Sequence, residues 1–202
     1  IDKDLISFKK IKFQENRNLI LVEKLKIDKK NLVSLDKVIV KTFNKGNLNN
    51  DFSIDFEKKI KIYGNKYDAL NLGKIINKKS ENNILKKINK EIEINLKNIE
   101  TSLSKRIKNF NLIGTIKKGE FVKILSKGDF GDNKYLDISL KSDKKNKKKY
   151  LEIYSDLPQP LLSDYSFFKG VTDGTLTYSS IIEGNLSNSK LLIENFKIVN
   201  AP

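Results

Sequence analysis

The sequence predicts a mainly β protein: a curved, twisted antiparallel sheet, open as a β-groove, with two short helices. Three observations carry this. Apolar and polar residues alternate with period two through most of the chain. The intervals between alternating runs are rich in Gly, Asn and Asp at hairpin spacing. Only two short stretches break the period.

The elements follow in order. Loose alternation occupies 6–13, 19–27 and 33–43. It is strictest in DFSIDFEKKIKIYG. There Phe52, Ile54, Phe56, Ile60 and Ile62 take one face, and Ser53, Asp55, Glu57, Lys59 and Lys61 the other. With Lys58 as the only interruption, the stretch reads as one half-buried strand. YDALNLGKIINKK then sets Leu70, Ile75 and Ile76 at helical spacing, with Asp68 as N-cap and Lys78 and Lys79 at the C-terminal end, which predicts the first helix. Alternation resumes in EIEINLKN (Ile92, Ile94, Leu96), at 110–116 and 121–125, in YLDISLKS (Leu136, Ile138, Leu140) and in YLEIYSD (Leu151, Ile153). In DLPQPLLSDYSFFKG, Pro160 suits a helix start and Gly170 a stop, which predicts the second helix. Strands are expected again at 175–182 and 191–199. NKGNLNND, KKGE, KGDFGDN, SDKKNKKK and EGNLSNS supply the turns. No Pro- or Ser-rich linker divides the chain, so 1–202 reads as a single fragment, with a joint near 78–87.

Composition narrows the chemistry. The net charge is +15, from 40 basic and 25 acidic residues, and Arg occurs only at positions 17 and 106. Abundant Lys, Asn and Ile together mark an A/T-rich coding sequence, so part of this charge is compositional. There is no Cys and no His, which removes disulfides, thiolate metal sites, the commonest general base and every Ser-His-Asp arrangement. No apolar run approaches the ~18 residues of a membrane-spanning helix. A membrane β-barrel is disfavoured because the strands read as shorter than the roughly 9–11 residues of a crossing and no aromatic girdle recurs.

The motifs with chemical potential read as structure. Glu91 and Glu93 share the polar face of a strand. Asp129, Asp132 and Asn133 lack the ligand alternation and the closing Glu of a calcium loop, and read as a hairpin turn. KGVTDGTL lies between a helix and a strand, the reverse of a phosphate loop. No nucleophile, base and orienter combine, so neither catalysis nor a cofactor nor a metal is expected. The run Lys144, Lys145, Lys147, Lys148 and Lys149, followed by Tyr150 and Tyr154, reads first as a solvated hairpin tip, then as an anionic-lipid contact, and last as a nucleic-acid contact, since it lacks Arg.

Three segments then carry a resemblance. IYGNKYDALNLGKII contains Gly64, Tyr67, Asp68 and Ala69. LEIYSDLPQPLLSDYSFFKGVTDGTLTYSS contains the turn Asp173, Gly174, Thr175 and Leu176. GNLSNSKLLIENFKIVNAP contains Gly184, Leu186, Leu191, Ile193, Asn195, Phe196, Ile198, Asn200, Ala201 and Pro202. Together they resemble the C-terminal conserved region of AsmA-like proteins of the YhdP type, over about 50–202. Asp173 stands where a second Gly is common. The resemblance implies a piece of a longer periplasmic protein of the bacterial envelope, anchored to the inner membrane by a segment outside this fragment. It implies an apolar β-groove that carries phospholipid acyl chains toward the outer membrane, without catalysis.

Phospholipid acyl chains are therefore the expected partner, and nucleic acid is not. The expected groove lining is Phe52, Ile54, Phe56, Ile92, Ile94, Leu96, Leu136, Ile138, Leu140, Leu151 and Ile153, whose alternative role is an ordinary core. The rival functions are a non-catalytic structural β-module of the envelope and a basic single-stranded nucleic-acid binder.

Overall fold

The computed structural model describes residues 5–28, 31–70, 88–101, 105–143, 145–162 and 170–199. The chain opens with β1 (Leu5–Glu15), β2 (Asn18–Asp28), β3 (Asn31–Ser34), β4 (Lys37–Asn44), β5 (Asn47–Asp55) and β6 (Ile60–Asp68). Next come β7 (Lys90–Glu100), β8 (Ile107–Lys117), β9 (Glu120–Gly131), β10 (Lys134–Asp143) and β11 (Lys148–Ser155). A short helix, α1 (Pro158–Leu162), precedes β12 (Val171–Thr172), β13 (Thr175–Glu183), β14 (Leu186–Glu194) and β15 (Lys197–Ile198).

Thirteen strands form one curved sheet in the order β1-β2-β4-β5-β6-β7-β8-β9-β10-β11-β13-β14, with β3 added beside β2. β12 and β15 form a separate two-stranded ribbon. β1 and β14 are opposite edges and do not pair, so the sheet is open rather than closed into a barrel. The strands of its main path are 8 to 12 residues long. Strand length therefore gives no argument against a barrel, contrary to the sequence expectation; the separated edges do.

The turns explain the meander. The hairpin turns Lys45–Gly46, Lys118–Gly119 and Asp132–Asn133 each place two consecutive residues at positive φ. Two-residue turns of that kind match the right-handed twist of the strands they join. The Asp129 carboxylate accepts the Gly131 N–H at 2.6 Å, so this acidic cluster builds a turn.

The sequence reading needs four corrections. DFSIDFEKKIKIYG is not one strand but a hairpin, bent between Asp55 and Ile60, with Ile54 opposite Ile62. Period two cannot reveal such a bend, because both arms keep their apolar residues on one face. The sheet is not wholly antiparallel: β6 and β7 run parallel, with Ile62 beside Ile94. A parallel pair needs a crossover, and residues 69–89 make it. The second helix starts at Pro158, not Pro160, and both prolines are fully buried. The run at 191–199 breaks at Asn195 (φ 55), which ends β14 and turns β15 onto β12.

The first expected helix and the joint at 78–87 lie outside the described residues beyond Leu70. The Asp68 carboxylate does accept the Leu70 N–H, at 2.9 Å. β6 and β7, on either side of that stretch, pair in the same sheet.

Gly174 combines positive φ (80°) with a site where a Cβ would lie 2.3 Å from the Glu194 carbonyl oxygen. Gly46 has the same φ class (81°) but open space around it. Gly174→Ala should therefore destabilise the chain by more than about 2 kcal/mol, and Gly46→Ala by about 1 kcal/mol. Urea melts of the two variants check this; equal losses would remove the role given to the Gly174 contact.

Candidate functional site

The candidate site is built by register. Cross-strand partners share a face, so pairing can be followed strand by strand. One row runs Ile11, Val22, Val38, Ile54, Ile62 and Ile94. It continues through Leu112, Ser126, Ile138, Ile153, Tyr178 and Leu191. Every strand of the twelve-strand path contributes one residue, and only Ser126 lacks an apolar body. At about 4.8 Å per strand the row is about 50 Å long. A neighbouring row holds Val40, Phe52, Gly64, Leu96 and Phe110, and another holds Ile92, Gly114, Ile124, Leu140 and Leu151.

All eleven residues expected to line a groove share this face, but they are not equivalent. Ile92, Leu96 and Leu136 are buried, at 7%, 5% and 3% exposure. Phe52, Ile54, Phe56, Ile94, Ile138, Leu140, Leu151 and Ile153 are half-buried. The buried residues sit in two flanking clusters. One packs Leu96, Ile99, Ile107, Phe130 and Leu136 beneath Leu157 and Leu161, from the segment that carries α1. Phe52 and Tyr67 meet edge to face there, with ring centres 5.3 Å apart. Burial pushes the Tyr67 phenol up, and Asp68 adds to the shift. The other cluster packs Ile60, Ile92 and Ile116 with Phe56, Ile88 and Phe121. Between the flanks lies a half-exposed apolar floor.

Among the described residues no second layer covers that floor. The chain exposes 14600 Å². A compact monomer of 23.2 kDa would expose only about 9,700 Å². The neighbouring row of Leu140 and Leu151 loses its apolar character toward β14, where it continues into Ser180 and Ser189. There Tyr178 donates to Ser189, which donates to the buried Ser180 at 2.9 Å.

The opposite face is polar, with charges arranged in opposite-sign pairs. Lys59 pairs with Glu93 and Lys37 with Asp55. The Lys59 hydrogen bond holds the Glu93 carboxyl below its ordinary value, and Asn95 assists. Two hollows of about 540 and 570 Å³ also lie on this face. A twisted sheet is saddle-shaped, so hollows occur on both faces. The first is lined by polar side chains such as Glu93, Asn111, Lys127 and Glu152, and by Leu112, Ile113, Leu125 and Ile138, of which Ile113 and Leu125 are exposed. Sequence reasoning did not find this patch, because Ile113 and Leu125 are isolated apolar residues at polar-face positions. Among the described residues no group of three metal-ligating side chains forms, and no helix is long and apolar enough to cross a membrane.

No protein-family model, curated protein or solved structure matches the chain.

The division into floor and flanks makes a prediction. A carboxylate on the floor can still reach water, whereas one in a flank is buried without a partner. Ile94→Asp and Ile138→Asp should each cost about 1–2 kcal/mol, while Leu136→Asp should cost several kcal/mol and unfold the chain. Chemical melts followed by circular dichroism read the difference. Unfolding by Ile138→Asp would mean that the floor is a core.

Proposed function

We propose that this chain is one segment of a lipid-conducting β-groove, with phospholipid acyl chains travelling along the half-exposed floor. The observation that carries this reading is the apolar row, which crosses the whole twelve-strand path and is left uncovered by the described residues. An apolar face of that length needs an apolar partner. An acyl chain gains about 0.8 kcal/mol per buried CH₂, so sixteen methylenes amount to about 13 kcal/mol. Such a chain crosses water only along a continuous apolar path. The floor is about 13 Å wide, from the row of Ile92 to that of Leu96, and the flanks wall it on both sides.

The AsmA-like resemblance supports the same reading and supplies its setting: the periplasm of a bacterial envelope, within a longer inner-membrane-anchored protein that moves phospholipid toward the outer membrane. The charge supports a nucleic-acid role less well, because opposite-sign pairs on the polar face leave no uninterrupted basic track there. A structural β-module would need a second layer over the floor.

The test is lipid capture. The chain is incubated with vesicles containing a phospholipid with a fluorescent tail and then separated from them by gel filtration. It should elute carrying lipid, and Ile94→Asp with Ile138→Asp should remove most of the load while the fold survives. Elution without lipid, or equal loading of the double variant, contradicts the proposal.

A further inference from the structure

We propose that one rim of the sheet docks on an anionic lipid bilayer; this rests on the groove reading and adds which strand ends meet the membrane and which headgroup charge they take. The register brings the β5–β6, β8–β9, β10–β11 and β13–β14 turns to the same rim. At the strand spacing, successive turns lie about 10–14 Å apart in a row. Neighbouring turns of such a row can meet a surface together.

The two rims differ in charge. On this rim the β5–β6 turn carries Lys58, the β8–β9 turn Lys117 and Lys118, and the β10–β11 turn Lys145 and Lys147. Among the described residues no carboxylate forms a salt bridge with any of the five. Glu57 lies beside Lys58 in the β5–β6 turn, and three further acids on this rim are already engaged. Glu120 pairs with Lys149 at 2.7 Å and Glu183 with Lys148 at 3.3 Å. The Asp143 carboxylate accepts the backbone N–H groups of Lys145 and Asn146 within its own turn. On the opposite rim, Lys45, Lys105, Arg106 and Lys134 are offset by Glu100 and Asp132, with Asp129 held within its own turn. Arg106 there is tied to Glu100 at 2.5 Å.

A second feature separates a membrane from any other polyanion. The basic rim also holds apolar side chains turned to water: Leu186 is 78% exposed at the β13–β14 turn, and Val33 is 54% exposed on β3. Tyr150, two residues into β11, is 39% exposed. Cations with exposed aliphatic and aromatic groups suit a headgroup layer, where lysines meet phosphate and apolar groups enter the acyl boundary. A phosphodiester strand gives Leu186 and Val33 nothing to enter. The same rim borders the apolar floor through Phe56, Ile60, Ile92 and Ile116. An acyl chain leaving the bilayer there would pass over this apolar flank to reach the floor, while its headgroup stays among the lysines.

The test uses the 202-residue chain and sedimented vesicles, either neutral phosphatidylcholine or phosphatidylcholine mixed with anionic phosphatidylglycerol. One variant combines Lys58→Glu, Lys117→Glu and Lys145→Glu, one exposed lysine per turn. The control combines Lys45→Glu, Lys105→Glu and Lys134→Glu on the opposite rim. The wild type should prefer the anionic vesicles. The first variant should lose that binding by more than about tenfold, since each lysine near an anionic surface is worth about fivefold. The control should stay within about twofold of the wild type. Equal wild-type binding to both vesicles overturns the proposal, as does equal loss in both variants, which would make net charge the cause. Tighter binding of a single-stranded oligonucleotide than of anionic vesicles, lost in the same rim variant, also overturns it. Loading with a short-chain fluorescent phospholipid added as monomer needs no membrane and separates the two claims. A chain that docks but does not load sinks the groove and keeps the rim; one that loads without anionic preference sinks the rim and keeps the groove.

Discussion

The described structure depends on one unmet demand: a wide sheet has an apolar face and, among the described residues, no second layer to cover it. In a sandwich the facing sheet removes that surface from water. Here the described residues cover only the margins. The segment after β11 folds Leu157 and Leu161 over one end of the strands, with Pro158 and Pro160 fully buried. Phe56, Ile88 and Phe121 close the other end. The floor between them keeps its alternation because a one-residue slip in any strand would put charges among Ile54, Ile94 and Ile138.

An open sheet must also hold its shape without a partner layer. Backbone ladders supply most of the cohesion, helped by cross-strand packing along each row. Register shifts at Thr42/Phe43, Asp51/Phe52, Lys108/Asn111 and Thr115/Ile116 add local bend and twist. Gly64 lies at one of them, where a Cβ would fall 2.3 Å from the Asp51 carbonyl oxygen, so β5 and β6 approach closely there. Ion pairs such as Lys37–Asp55 and Lys148–Glu183 are largely solvated and contribute little. They contribute specificity instead, since a slipped strand would place like charges opposite each other.

Period two in the sequence made the apolar face legible residue by residue, because alternation and register are the same physical fact. It could not show where the chain folds back: the bend between Asp55 and Ile60 preserves the pattern on both arms. The parallel step from β6 to β7 was equally hidden. Local residues encode turns, whereas strand direction is set by a crossover of about twenty residues. Leu96 and Leu136 read like Ile94 and Ile138 in sequence, yet they are buried in a flank. What separates them is position along the strand relative to the α1 segment, a tertiary relation that no local pattern carries. The charged rim escaped for the same reason. Lys58, Lys117 and Lys145 lie far apart in the chain and meet only through pairing.

The central claim is that the floor, and only the floor, is open to acyl chains. The sequence contains no Trp, so one introduced indole reports alone. Ile138→Trp places it on the floor and Ser139→Trp on the opposite face, one residue away. Phospholipid carrying a nitroxide on its acyl chain should quench the indole at position 138 strongly and leave that at 139 nearly unchanged. Equal quenching at both positions, or quenching at neither, would contradict the account.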